Sequence, residues 1–183
     1  MKVISGSLKG RNIEGFDILG TRPTMDRVKE SVFGMIQNHL YNSVVLDLFS
    51  GSGNYGIEAI SNGAKIVYFN DHNKKCVKVI KDNLERFNVL GQSVITNLDF
   101  KKALDYYRDL SIKFDLVFLD PPYKEKYVTN ILNYLNNFDL LNDKGLVICE
   151  VTDNDMNEEF GNLKMIKNRK YGDKFVFIFQ KIN

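Results

Sequence analysis

The sequence predicts an α/β fold with a mostly parallel, doubly wound sheet, and three observations predict it. Strand-like and helix-like segments alternate from residue 44 onward, a glycine-rich turn directly follows the first strand, and the chain closes on two strands joined by a tight turn. With 183 residues and 44% hydrophobic content, the chain can bury one full core. No apolar run approaches the roughly 18 residues of a membrane span. The N-terminus, "MKVISGSLKGRNIEG", lacks an apolar leader segment, so no membrane association and a cytoplasmic chain are expected. Cys76 and Cys149 lie far apart, and the two histidines stand at no ligand spacing, which excludes a zinc site and a disulfide framework.

The elements follow in order. Residues 2–20 read as a small β-hairpin. "TRPTMDRVKESVFGMIQNHL" reads as a helix with Val28, Val32, Ile36 and Leu40 on one face and Thr24 as its N-cap. These make an N-terminal extension over 1–41, ahead of an α/β unit over 42–183. Strands are expected at 44–49, 65–70, 93–97, 114–120 and 145–151. Between them lie a short helix from about Tyr55, an amphipathic helix over 74–87, a segment through Leu104 and Tyr107, and a helix over 126–137. "KMIKNRKYG" and "KFVFIFQ" complete seven strands. Gly172-Asp173 turns between them, so this pair runs antiparallel and one edge of the sheet is mixed. Residues 1–29 carry six Lys/Arg against three acids, within a chain of net charge +2. That excess is either a solvated basic face or a phosphate-contacting arm.

"DLFSGSGNYGIEA" holds Gly51, Gly53 and Gly56 in a GxGxxG spacing between strand and helix, with Asp71 at the end of the second strand. Glycines permit the tight turn and close approach, and the distal acid suits ribose hydroxyls, so an adenosine-bearing cofactor is expected. NAD and S-adenosylmethionine then compete. Asp47 lies just before the glycines, where a carboxylate disfavours a pyrophosphate but suits a sulfonium and an ammonium. S-adenosylmethionine is therefore the expected cofactor. Asp99 after the third strand is a partner for the adenine amine or an N-cap of the next helix, or both, and Phe100 can stack on the ring.

The fourth strand ends on Asp120-Pro121-Pro122-Tyr123. In an open α/β sheet, ligands sit beyond the carboxyl ends of the strands. The lone pair of an exocyclic base amine is delocalised into the ring. A carboxylate and a backbone carbonyl that accept its N–H groups make the nitrogen more nucleophilic and aim it. Pro121 has no N–H and a fixed φ, which stiffens that carbonyl, and Tyr123 can stack on a base that is unpaired or flipped out.

These motifs carry a resemblance over nearly the whole chain. "DPPY" resembles motif IV of the amino-methyltransferases, and "DLFSGSGNYGIEA" resembles their motif I. "TRPTMDRVKESVF" is similar to the signature ahead of motif I in the RsmD-type 16S ribosomal RNA guanine-N2 methyltransferases. The resemblance implies a Rossmann-like S-adenosylmethionine-dependent methyltransferase fold. It implies cofactor binding by Asp47, Phe49, Gly51, Gly53, Asp71, His72, Asp99, Phe100 and Asp120, and amine binding by Asp120, Pro121, Pro122 and Tyr123. Arg22, Pro23, Thr24 and Arg27 are placed by it near the methionine end of the cofactor or the incoming base. For Arg22 and Arg27 a helix-start ion-pair set with Asp26 and Glu30 is the other reading. Ser50, Asn54 and Tyr55 depart from the small or apolar residues usual in such loops, and Asn73 stands where a second acid is common.

The expected activity is methylation of a guanine N2 in small-subunit ribosomal RNA. An adenine-N6 DNA or RNA methyltransferase is the alternative, although no spare segment is long enough for a target-recognition domain. No metal is expected, because a sulfonium leaving group needs no Lewis acid. Lys9, Arg11, Arg27 and Lys170 are candidate RNA contacts. So few basic residues favour a partner that is an assembled or assembling subunit over naked RNA.

Overall fold

The computed structural model describes residues 1–15, 23–121 and 126–182, with residues 23–25 and 126 described by backbone alone. Arg22, Pro122 and Tyr123 lie outside the described residues, as do 16–20 of the expected hairpin.

Among the described residues, one eight-stranded sheet organises the molecule. Its strands are β1 (Val44–Asp47), β2 (Ile66–Asn70), β3 (Ser93–Thr96), β4 (Phe114–Leu119), β5 (Leu141–Val151), β6 (Glu159–Phe160), β7 (Leu163–Tyr171) and β8 (Lys174–Lys181). Their order is β3-β2-β1-β4-β5-β8-β7-β6. The first five are mutually parallel, and β8, β7 and β6 add antiparallel. The two-residue β6 raises the expected seven strands to eight.

The last long strand inserts between β5 and β7. Burial explains why: β8 reads as a near-continuous apolar run, and Val176, Phe177, Ile178 and Phe179 are all buried. The charged β7 is mostly exposed, which suits a strand near the sheet edge.

Among the described residues, five α-helices cover the two faces: α1 (Pro23–Ile36), α2 (Asn54–Ser61), α3 (Lys74–Arg86), α4 (Phe100–Asp109) and α5 (Lys126–Asn137). Alternation along each strand sorts the side chains between two cores. Val45, Phe69, Leu116, Phe118, Ile148 and Val176 face α1, α2 and α3. Leu46, Val117, Leu119, Cys149 and Phe177 face α4 and α5. Thr24 stands one residue inside α1, not at its N-cap. Pro23 begins that helix, a position where a missing N–H costs nothing and a fixed φ fits.

Of the expected N-terminal hairpin, a short antiparallel pairing is present: Lys2 bridges Asn12, Val3 N–H donates to the Arg11 carbonyl (3.0 Å) and Ile13 N–H to the Met1 carbonyl (2.8 Å). The donors between those arms go to α2 instead. Ser5 N–H donates to Glu58 Oε1 (2.8 Å), Ser7 N–H to the Ser61 carbonyl (2.8 Å) and Leu8 N–H to Ser61 Oγ (2.9 Å). The segment packs so closely that a Cβ on Gly6 would stand 1.9 Å from the Ser61 oxygen. Val3, Leu8 and Ile13 consequently share the core of the sheet.

Candidate active site

The site forms where β1, β2, β4 and β5 end. After β1 the chain turns back through the Ser50 carbonyl, which accepts from Gly53 N–H (2.7 Å), and enters α2 with Gly53 at φ 83°. The glycines do different work. Gly56 is pressed against a buried ring, since a Cβ there would meet Phe69 at 2.2 Å. Gly51, at φ 54°, faces open space on the cleft side.

Carboxylates surround this turn. Asp47 is buried, and its Oδ2 accepts from Gly56 N–H (3.0 Å). Burial, tempered by that bond and reinforced by Asp120 and Asp71, pushes it up to about 7. Asp71 holds the loop and its own strand end together, accepting from Gly51 N–H and Asn73 N–H (both 2.9 Å). His72 beside it is largely exposed, with Nδ1 3.6 Å from Asp71 Oδ1. Asn70 ties neighbouring loops by donating to the carbonyls of Leu48 and Leu98.

Asp99 is the N-cap of α4, accepting from Lys101 N–H (3.0 Å), and its side chain is otherwise exposed beside the cleft. The N-cap reading of that residue therefore holds. Phe100 lies 5.7 Å from Phe49 and 5.4 Å from Tyr127, ring centre to ring centre, so these rings form an aromatic wall.

Phe49, Gly51, Tyr55, Asp120 and Glu150 share one cleft of about 150 Å³, closed on one side by Met1. Asp120 follows β4 directly. Burial and then the charge of Glu150 push it up to about 7, while Lys174 pulls it back. Glu150, at the end of β5, is the residue that sequence reasoning passed over. Its Oε2 accepts from Tyr55 Oη (2.7 Å), and its Oε1 pairs with Lys174 Nζ. The signal was present: an acid interrupts the carboxyl end of the apolar run "GLVICEV", as Asp47 and Asp120 do in theirs. No local signal marked Lys174, because strand order alone brings β8 beside β5. Tyr55, the bulky residue of the glycine loop, is placed by this bond.

The donor set fits a cationic adenosine cofactor. Asp47, Asp71, Asp120 and Glu150 concentrate negative charge around a loop with open space at Gly51, an arrangement hostile to a pyrophosphate. Asp71 and the Phe49–Phe100 wall would hold the nucleoside end.

The candidate RNA contacts are exposed and lie outside this cleft. Lys9 and Arg11 sit by the C-terminal ends of α2 and α3. The guanidinium of Arg11 donates to the Arg86 carbonyl (2.8 Å) and lies 4.5 Å from the Phe87 ring centre. That end of α2 is about 12 Å from its glycine-loop end, at 1.5 Å per residue. Lys170 extends over Phe175 (5.4 Å) on β7. Arg27 makes no ion pair among the described residues, so neither Asp26 nor Glu30 holds it there. Lys29, counted with the basic N-terminal residues, is fully buried.

Comparison with known proteins places these features in context. The family described as "Conserved hypothetical protein 95" matches residues 1–180. "Putative rRNA methyltransferase YlbH" of Bacillus subtilis (strain 168) is 36% identical over 182 residues, covering 99% of both chains. "Ribosomal RNA small subunit methyltransferase D" of Haemophilus influenzae is 34% identical over 157 residues, covering 82% of this chain and 78% of that one. Among solved structures, "Putative methyltransferase yhhF from Escherichia coli" superposes with a TM-score of 0.85 at 23% identity, over 99% of this chain and 97% of that one. That likeness establishes the fold, an α/β sheet with antiparallel strands at one end.

Proposed function

Because this chain belongs to the RsmD-type family, described as conserved hypothetical protein 95, we propose that it methylates the exocyclic N2 amine of a guanine in small-subunit ribosomal RNA. Family membership carries the coarser statement, an S-adenosylmethionine-dependent rRNA methyltransferase. The guanine and its N2 atom rest on the resemblance of "TRPTMDRVKESVF" to the guanine-N2 signature, while the chemistry of the β4 end supports an exocyclic base amine. The observation that carries the reading is that Asp120 and the glycine loop after β1 line one cleft.

S-adenosylmethionine supplies, when bound, a methyl group on a sulfonium, which leaves as a neutral thioether. The protein's own residues do the rest. Asp71 accepts from the ribose hydroxyls, Phe49 and Phe100 flank the adenine, and Asp99 accepts from its amine. Asp47, held by Gly56 N–H, presents negative charge toward the methionine end, where Thr24 and Arg22 also belong. Ionised Asp120 accepts an N–H of the target amine and keeps the nitrogen lone pair aimed into the cleft. Pro121 offers a carbonyl on a backbone that carries no competing N–H. Pro122 and Tyr123 complete the base-gripping turn.

The substrate is a shaped particle, an assembled or assembling subunit. Specific recognition usually buries on the order of 1,000 Å² or more of protein, and Lys9, Arg11, Arg27 and Lys170 are few and spread over different elements.

The test is transfer of tritiated methyl to ribosomal RNA, subunits, transfer RNA and DNA in parallel, with nucleoside analysis of the product. N2-methylguanine in small-subunit RNA is expected, faster on subunits than on naked RNA, and N6-methyladenine would overturn the reading. Asp120→Ala should abolish transfer with cofactor affinity within a few-fold, since its contact is with the reacting amine. Near-normal turnover in that variant would remove the mechanism.

A further inference from the structure

Glu150 has no task in the chemistry above, yet both of its carboxylate oxygens are held by neighbouring side chains. In the parallel β4–β5 pair, Phe118 stands opposite Ile148 and Leu119 opposite Cys149. The next pair in that register is Asp120 and Glu150. Side chains opposite one another on neighbouring strands point to the same face, and the strands are about 4.8 Å apart. Phe118 and Ile148, two residues back, both face the α1–α3 core, so both carboxylates emerge on that side.

Each oxygen of Glu150 has its own clamp. Tyr55 Oη holds Oε2 from α2, and its ring is stacked on Phe118 at 5.0 Å. Lys174 Nζ holds Oε1 from the start of β8. The carboxylate is a charge fixed in place one strand away from Asp120.

We propose that Lys174, anchored on the Glu150 carboxylate, is a positioning residue for Asp120: its positive charge offsets Glu150 one strand away, so that Asp120 can be ionised when it meets the target amine. The inference rests on the role given to Asp120 above. A protonated Asp120 would donate toward the amine nitrogen and compete for its lone pair, whereas an ionised one accepts its N–H. Among the described residues, the groups facing Asp120 are few. Asp47 lies on β1 with Asp71 behind it, Tyr55 on α2, Glu150 on β5 and Lys174 on β8. Lys174 is the one cation in that set. It offsets Glu150, and the two act on Asp120 with opposite signs.

Opposite signs make the test sharp. The Asp120 carboxyl carbon can be followed by carbon-13 NMR across about pH 5 to 9 in the protein without cofactor, assigned by the signal lost in Asp120→Asn. An Asp47→Asn background removes the other carboxylate titrating in that range. Glu150→Gln removes a neighbouring negative charge and should move the Asp120 midpoint down by about one unit. Lys174→Met leaves Glu150 uncompensated and should move it up by a similar amount. Lys174→Arg keeps the charge and should restore the original midpoint. The acid limb of kcat/KM, which reports the free enzyme, should shift in the same two directions.

An unchanged midpoint in both variants overturns the proposal. So does movement of both in one direction, the result expected if the pair only pins the β7–β8 turn. If the wild-type protein transfers no methyl to guanine while the midpoints diverge, the function assigned above fails and the electrostatic coupling stands. Guanine transfer with immobile midpoints fails the coupling alone.

Discussion

Lys29 and Glu58 are both fully buried, and they lock three segments together. Lys29 Nζ lies 3.0 Å from Glu58 Oε2 and also donates to the Lys2 carbonyl and Asn54 Oδ1, each at 2.7 Å. Glu58 accepts besides from Ile4 N–H, Ser5 N–H and Ser5 Oγ. The pair therefore ties α1, the start of α2 and the segment that carries Met1 to the cleft. At 3 Å and an effective dielectric of about 20, the gross attraction is about 5 kcal/mol. Lys29→Met removes the cation but leaves a buried carboxylate, so the expected loss is about 3–5 kcal/mol. With a urea slope of about 2 kcal/mol/M, the unfolding midpoint should fall by about 1.5–2.5 M. Glu58→Gln removes the charge on the other side but keeps an oxygen for one N–H. The double variant should lose at least about 1 kcal/mol less than the sum of the singles. Urea unfolding followed by circular dichroism measures all four proteins. A Lys29→Met cost below about 1 kcal/mol, or strict additivity, would show that Lys29 packs its stem and contributes no charge.

Asp47, raised to about 7 by burial, holds a proton in the native state between about pH 4 and 7 that the unfolded chain releases. Its contribution to stability is present at low pH and lost as pH rises through about 7. Asp47→Asn should thus gain on wild type at about pH 8 by up to a few kcal/mol, at 1.36 kcal/mol per unit, and show little gain at about pH 4. Equal differences in urea midpoint at both pH values would refute this. Gly56→Ala drives a Cβ into Phe69 and should cost about 1–3 kcal/mol in thermal melts. Gly51→Ala meets no neighbour but must hold φ 54°, which costs about 1–2 kcal/mol, and it should lose more cofactor affinity by calorimetry than Gly56→Ala. The reverse pattern would mean that Gly51 is not on the ligand side. Asp71→Ala should weaken S-adenosylhomocysteine binding by about 1–3 kcal/mol, with NAD giving no heat in either protein. Tight NAD binding would undo the cofactor assignment.

Most of the cleft was legible because its chemistry is local. An acid closing an apolar run marks a carboxylate at a strand's carboxyl end, as in Asp47 and Asp120, and the glycine spacing at 51, 53 and 56 encodes a turn only small residues can make. The five parallel strands and their helices were readable from periods of two and 3.6 residues. The N-terminal hairpin was legible only in part, for the opposite reason. Its arms pair through Val3 and Ile13, but the N–H groups of Ser5 and Leu8 between them find their acceptors in Glu58 and Ser61, more than 50 residues away.

By itself, the sequence determined the α/β class, the glycine turn, the acid at each of the two central strand ends and the family resemblance. All of these depend on the conformational freedom or hydrogen-bonding capacity of residues within a few positions of one another. Tertiary structure alone decided that β8 enters between β5 and β7, because four consecutive buried side chains need cover on both faces and the charged β7 does not. That choice carries Lys174 to Glu150, and Glu150 to the side of Asp120. Charges separated by 24 and 30 residues in the chain act on one another here because burial of whole faces sets the strand order.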